Sequence, residues 1–144
     1  MQLALAEAEA AAALGEVPVG AVIVDPANGA VVAQAGNATL TQNDPTAHAE
    51  MLVIRLAASL LGSQRLGGLD LYATLEPCAM CAAAISFARI RRLYYGAADE
   101  KGGGVAHGGR FFSQPTCHHA PEVYGGIAEQ AAQRLLRDFF QLRR

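Results

Sequence analysis

The spacing of apolar and polar positions divides this chain into helical and extended stretches punctuated by glycine and proline. Met1 to Leu14 is built largely from Ala, Leu and Glu, without Pro or Gly, and predicts a helix stopped by Gly15. Val17 to Val24 is apolar and β-branched, Pro26 to Gly29 is turn chemistry, and Ala30 to Ala35 resumes the extended pattern, which predicts a hairpin. A polar loop, Thr39 to Thr46, leads into Ala47 to Leu61, where Met51, Leu52, Ile54, Leu56 and Leu60 suit a helix lying on a sheet. Asp70 to Leu75 predicts a short strand. Pro77 then stands in the first turn of a helix that runs to about Ala88, a position where proline is tolerated.

Arg91 to Gly96 predicts the next strand. Asp99 to Pro121, rich in Gly and with two Pro, predicts a surface loop with room for a short helical turn, and Glu122 to Tyr124 a brief strand. Ile127 to Leu142 closes the chain as an amphipathic helix carrying Leu135, Leu136, Phe139 and Phe140. This order places the chain in the α/β class, as a three-layer α/β/α architecture: one mixed five-stranded sheet flanked by helices on both faces.

Residues 1–144 are expected to form a single domain, a normal size for one compact core. A hydrophobic content of 52% with 17% charged residues excludes a disordered chain. No apolar run approaches the roughly 20 residues that span a bilayer, and Glu7 and Glu9 interrupt the place of a secretory leader. The expectation is a soluble, cytoplasmic protein without a membrane partner. Cys78, Cys81 and Cys117 are an odd count with one C-x-x-C pair, which favours metal or redox chemistry over a disulfide framework. The net charge of −2 is unevenly spread: residues 1–85 hold 2 basic and 8 acidic side chains, residues 86–144 hold 9 and 5. Such asymmetry suits a nucleic-acid face in the second half, and equally ordinary solvated helix faces.

Two stretches carry the candidate chemistry, His48-Ala49-Glu50 and Pro77-Cys78-Ala79-Met80-Cys81. Cysteines three apart at a helix start point to one side, where the helix N-terminus favours the thiolate that binds metal. One neutral imidazole and two thiolates give zinc three protein ligands and leave a fourth tetrahedral position for water, the arrangement of a catalytic site. Zinc lowers the pKa of that water towards neutrality. Glu50, two residues past His48, is placed to serve as the proton shuttle without binding the ion. The H-x-E and P-C-x-x-C pair is the signature of the zinc base deaminases, and these roles are matched to it. A structural zinc would recruit a fourth ligand, for which Cys117, His118 and His119 are the available candidates.

Nearly end to end, the sequence resembles the cytidine and deoxycytidylate deaminase superfamily, and within it the bacterial TadA-type tRNA adenosine deaminases. The resemblance rests on Glu16-Val17-Pro18-Val19-Gly20-Ala21-Val22, on Gly36-Asn37, on Asp44 through Glu50 and on Leu71 through Cys81. Tyr95-Gly96-Ala97, Asp99 with Lys101, and Asp138-Phe139-Phe140 leading to Arg143-Arg144 extend it. It implies a cytidine deaminase-like fold, one Zn2+ per subunit with no organic cofactor, a homodimer, and conversion of adenosine to inosine at the wobble position of a tRNA anticodon stem-loop. It further implies that Asn37 hydrogen-bonds the flipped adenine or its sugar, and that Asp99, Lys101 and the His118–His119 region, His119 in particular, contact neighbouring nucleotides.

Splayed loop bases stack on aromatic and guanidinium planes, which makes Phe140 and Arg143 candidates, although at least one of Phe139 and Phe140 is expected in the core. Asn37 after Gly36 also reads as plain turn chemistry. Arg89, Arg91 and Arg92 read as solvated charges and His107 as an exposed loop residue. The loop 102–109 is richer in Gly than the resemblance leads one to expect, and Cys117-His118-His119 replaces an Asn-His pair. Two other readings stay open: deamination of a free base or nucleoside such as guanine or cytosine, and a non-catalytic zinc-stabilised module that binds RNA or protein.

Overall fold

The computed structural model describes residues 1–144. Helix α1 (Gln2–Ala13) is followed by strands β1 (Gly20–Asp25) and β2 (Ala30–Gly36), helix α2 (Ala49–Leu61), strand β3 (Asp70–Leu75) and helix α3 (Ala79–Phe87). Strand β4 (Arg92–Ala97), a 3-10 turn at Phe111–Ser113, strand β5 (Glu122–Tyr124) and helix α4 (Glu129–Gln141) complete the chain. The strands form one sheet in the order β2-β1-β3-β4-β5. β1 runs antiparallel to β2 and β3, whereas β3, β4 and β5 are mutually parallel. Helices α1 and α4 pack on one face and α2 and α3 on the other. The expected three-layer mixed sheet is therefore present, with all five strands.

Each element follows from local chemistry. In the β1–β2 turn, Asp25 Oδ1 accepts from the Ala27 N–H at 3.0 Å and Asn28 Oδ1 from the Ala30 N–H at 2.9 Å, with Gly29 at φ 72°. Alternation along the strands sends Ala21 and Ile23 of β1, Leu71 and Ala73 of β3 and Leu93 of β4 to one face. There they join Val53 and Ala57 of α2 and Ile85 of α3 in one buried core. Tyr72, Tyr94 and Tyr124 stand in register on adjacent strands and stack with centroids 4.5 and 5.2 Å apart. Close approach sets the other layer: a β-carbon on Gly36 would lie 2.6 Å from the Glu7 carbonyl oxygen of α1, so glycine lets that helix settle on the sheet.

Several boundaries differ from the sequence expectation. The first strand starts at Gly20 rather than Val17, because Pro18 has no N–H for a ladder and Val19 N–H turns back to the Val17 carbonyl at 2.8 Å. Helix α4 starts two residues later than expected, since Gly126 and Ala128 adopt left-handed backbone and Ile127 N–H is bound to Tyr95 O at 3.0 Å. Arg91 and Arg92 are not free charges. Arg91 grips buried Asp70 through two bonds of 2.8 and 2.7 Å, and Arg92 pairs with Glu122 at 2.8 Å. Phe139 is buried while Phe140 is about half exposed, the division expected for that pair. No helix is long and apolar enough to cross a membrane.

Leu93 sits at the centre of the core with no exposed surface, whereas Leu142 is 83% exposed. Denaturant unfolding is expected to show Leu93→Ala destabilised by about 2–5 kcal/mol and Leu142→Ala changed by no more than about 0.5 kcal/mol.

Candidate active site

Helices α2 and α3 lie side by side on one face of the sheet, and their first residues come together. His48 and Cys78 occupy their N-cap positions in extended backbone, and neither side chain caps its own helix. Both are thus free to turn to each other. His48 Nδ1 lies 3.6 Å from Cys78 Sγ and 3.5 Å from Cys81 Sγ, and the three donor atoms fall within 4.8 Å of one another.

These distances match the edge of a tetrahedron with zinc–sulfur and zinc–nitrogen bonds of ordinary length, about 3.6 Å. The donor set therefore fits zinc. Cys78 is drawn down to about 4 by its hydrogen bonds with Cys81 and His48, against the opposing effect of burial. Cys81 is pushed up as the other partner of that bond and by burial, and the bond to Cys78 raises His48. No other group of three His, Cys, Asp or Glu donors comes together in this way.

Cys117, His118 and His119 do not supply a fourth ligand. Cys117 Sγ faces the His119 carbonyl at 3.1 Å and Ser86 Oγ at 3.6 Å, and His119 Nε2 donates to Ile90 O at 2.7 Å. This segment ties the long loop to the end of α3.

Glu50, in the first turn of α2, is almost wholly buried and lines the same pocket as His48 and Cys78. Burial raises its carboxyl above the usual carboxylate range, the direction that suits a group exchanging a proton with substrate. The pocket has a volume of about 330 Å³, and Asn37 and Asp99 also line it. Of the other residues expected to contact nucleotides, Lys101, His119, Phe140 and Arg143 do not line it. Arg143 lies over the Phe139 ring, 3.5 Å from its centroid, and Nη1 donates to the Phe139 carbonyl at 3.3 Å, so its guanidinium is folded onto its own helix.

Two buried glutamates shape this pocket, and no chemical role for them is legible in the motif itself. Glu16 accepts from Asn37 Nδ2 at 3.3 Å, from Thr39 Oγ1, from the Leu40 N–H, and from both the N–H and hydroxyl of Thr41 at 2.6 and 2.8 Å. It holds the loop after β2 against the pocket. Because no buried polar side-chain atom lacks a partner, and Asn37 Oδ1 has none, that oxygen is open to the pocket as an acceptor. Glu76, at the end of β3, plays the same part for the loop after β4. Burial would raise both carboxyls, but these hydrogen bonds outweigh it and hold them below the usual range. The available signal was a lone Glu inside an apolar, proline-flanked stretch at each place. His107, expected to be exposed, is partly buried against Glu76 instead.

Residues 1–97 match the cytidine and deoxycytidylate deaminase zinc-binding region, and the chain belongs to that family. Among particular relatives, it is 62% identical to the tRNA-specific adenosine deaminase of Agrobacterium fabrum over 144 residues, covering 100% of this chain and 93% of that one. A solved structure from work on A-to-I editing by tRNA:A34 deaminases at the wobble position of transfer RNA is 63% identical. It superimposes with a TM-score of 0.92, covering 94% of this chain and 97% of the other. The guanine deaminase of Bacillus subtilis is more distant, 32% identical with a TM-score of 0.66 over 99% of this chain and 90% of its own.

Glu16 supplies stability that is fully present above the ordinary glutamate pKa of about 4.3 and is lost as pH falls through the lower folded value. Thermal unfolding should therefore show Tm dropping below about pH 4, with a shallower drop in Glu16→Gln. Parallel curves for the two would contradict this. Cys117→Ala is expected to leave metal content unchanged by elemental analysis, since its sulfur is turned to Ser86 and His119.

Proposed function

We propose that this protein is a tRNA adenosine deaminase that converts adenosine to inosine at the wobble position of the anticodon, in the cytoplasm and as a homodimer. The reading is carried by one observation: the His48, Cys78, Cys81 and Glu50 cluster faces a pocket in a chain 62% identical along its whole length to a tRNA-specific adenosine deaminase. Residues 1–144 act as one catalytic domain in this account.

His48 Nδ1 and the sulfurs of Cys78 and Cys81 would hold one zinc ion per subunit. When bound, the ion supplies Lewis-acid activation of water at neutral pH. Glu50 does the proton work: its carboxylate takes a proton from the water that adds to the amino-bearing ring carbon and gives it to the adjacent purine ring nitrogen. It then passes the proton of the newly added hydroxyl to the amino group, which departs as ammonia as the carbon–nitrogen bond breaks. Asn37 Oδ1 accepts a hydrogen bond from the base or its ribose, its amide held by Glu16. The wall at Asp99 and Gly102 closes the other side. A nucleotide in an anticodon loop is unpaired, so turning it into this pocket costs less than extracting one from a duplex. Lys101, His119, Phe140 and Arg143 would meet neighbouring nucleotides outside the pocket.

The 32% identity to a guanine deaminase keeps a free-base substrate as the rival reading. Purified protein is expected to form inosine in an anticodon stem-loop with an unpaired wobble adenosine, with little turnover of guanine, cytidine or free adenosine. Guanine turnover beside inert RNA would overturn the proposal. Glu50→Ala should keep its zinc and its fold yet lose at least about 10²-fold in kcat. Undiminished kcat would remove Glu50 from the reaction, whereas a wild-type protein with no turnover would favour a passive binding module.

A further inference from the structure

The segment from Asp99 to His107 carries a device that the proton chemistry does not use. Glu76 is buried at the end of β3, and every hydrogen bond its side chain makes goes to this segment. Oε1 accepts from the N–H groups of Val105, Ala106 and His107 at 3.3, 2.8 and 3.1 Å. Oε2 accepts from the Asp99 N–H at 2.9 Å and from His107 Nδ1 at 2.8 Å.

Both ends of the segment are therefore fastened to one carboxylate. The chain between lies flat against it, with Gly104 N–H bound to Pro77 O at 2.8 Å. A β-carbon at Gly103 would sit 2.5 Å from Glu76 Cδ, and one at Gly104 would sit 2.6 Å from Ala79 N at the start of α3. Glycine at these two positions is thus a requirement of close approach. Asp99 adds a local turn, its Oδ1 accepting from the N–H groups of Lys101 and Gly102 at 3.1 and 2.8 Å. Asp99 and Gly102 form one wall of the pocket.

We propose that His107 and Glu76 form a latch that holds residues 99–107 as the wall of the pocket, making His107 a positioning residue for the RNA loop that enters it. His107 is far better suited to this than to contact with substrate, because its Nδ1 is committed to a carboxylate that faces away from solvent. Losing the imidazole leaves Oε2 with one donor and opens a path for water to the buried carboxylate. The wall loosens, and the cost falls on binding rather than on the chemical step. The substrate part of this inference rests on the anticodon-loop reading, whereas the latch itself does not.

The test compares wild type, His107→Ala and His107→Asn as zinc-loaded full-length protein, Asn being able to place an N–H donor close to the position of Nδ1. His107→Ala is expected to raise KM for an anticodon stem-loop roughly 3- to 10-fold with kcat and zinc content unchanged. Hydrogen exchange at residues 99–107 should quicken by a similar factor, and Asn should restore both. Unchanged exchange and KM in His107→Ala would overturn the latch, as would an Asn variant no better than Ala, or a fall in kcat accompanied by loss of zinc. A wild-type enzyme inert on the stem-loop, with faster exchange in His107→Ala, would overturn the substrate reading and support the latch.

Discussion

Everything in this molecule turns on two helix N-termini meeting on one face of a sheet. A metal centre with one imidazole and two sulfurs needs its donors about 3.6 Å apart, and flexible loops hold such a spacing poorly. Here α2 and α3 are fixed side by side by the buried core beneath them, and each presents its N-cap residue, His48 or Cys78, to the other. Cys81 follows one turn along α3, on the same side. Strand β3 ends three residues before Cys78 and α3 packs beside α2, so the chain path out of the sheet and the donor spacing are one constraint.

Around this centre the walls of the pocket are held by charge buried for a purpose. A carboxylate removed from water is costly unless its oxygens are satisfied, and Glu16 and Glu76 each meet that cost by binding a loop's donors. The loop after β2 is folded over Glu16, bringing Asn37 to the pocket, and the loop after β4 over Glu76, bringing Asp99. Glu50 stands in contrast. It is buried without such an array of donors, and its carboxyl is raised where the other two are lowered. Surroundings alone thus set three glutamates of one chain apart: two fasten loops, and the third, with its carboxyl raised, is the proposed proton carrier.

Much of this could be read from the sequence because it is encoded locally. Short apolar and β-branched runs bounded by turn residues point to all five strands, and the His48, Cys78 and Cys81 set is legible in its spacing at helix starts. Boundaries failed where a backbone detail intervened, at Pro18 before β1 and at the left-handed Gly126 and Ala128 before α4. Long-range partnerships were the hidden part. Nothing in the text of residues 102–109 says that His107 reaches back to Glu76, or that Arg91 reaches Asp70, because those partners lie 31 and 21 positions away and only the folded sheet joins them. Lys101 and His119 follow from the family resemblance and Phe140 and Arg143 from chemistry that suits RNA, and the folded chain sets all four outside the pocket.

The central claim is that three side chains, and no more, hold the metal at this site. X-ray absorption at the zinc edge on metal-loaded protein tests it directly. The account predicts two sulfur ligands, one imidazole and one light atom that exchanges with solvent. A shell of four protein side chains, with a third sulfur or a second imidazole, would contradict it.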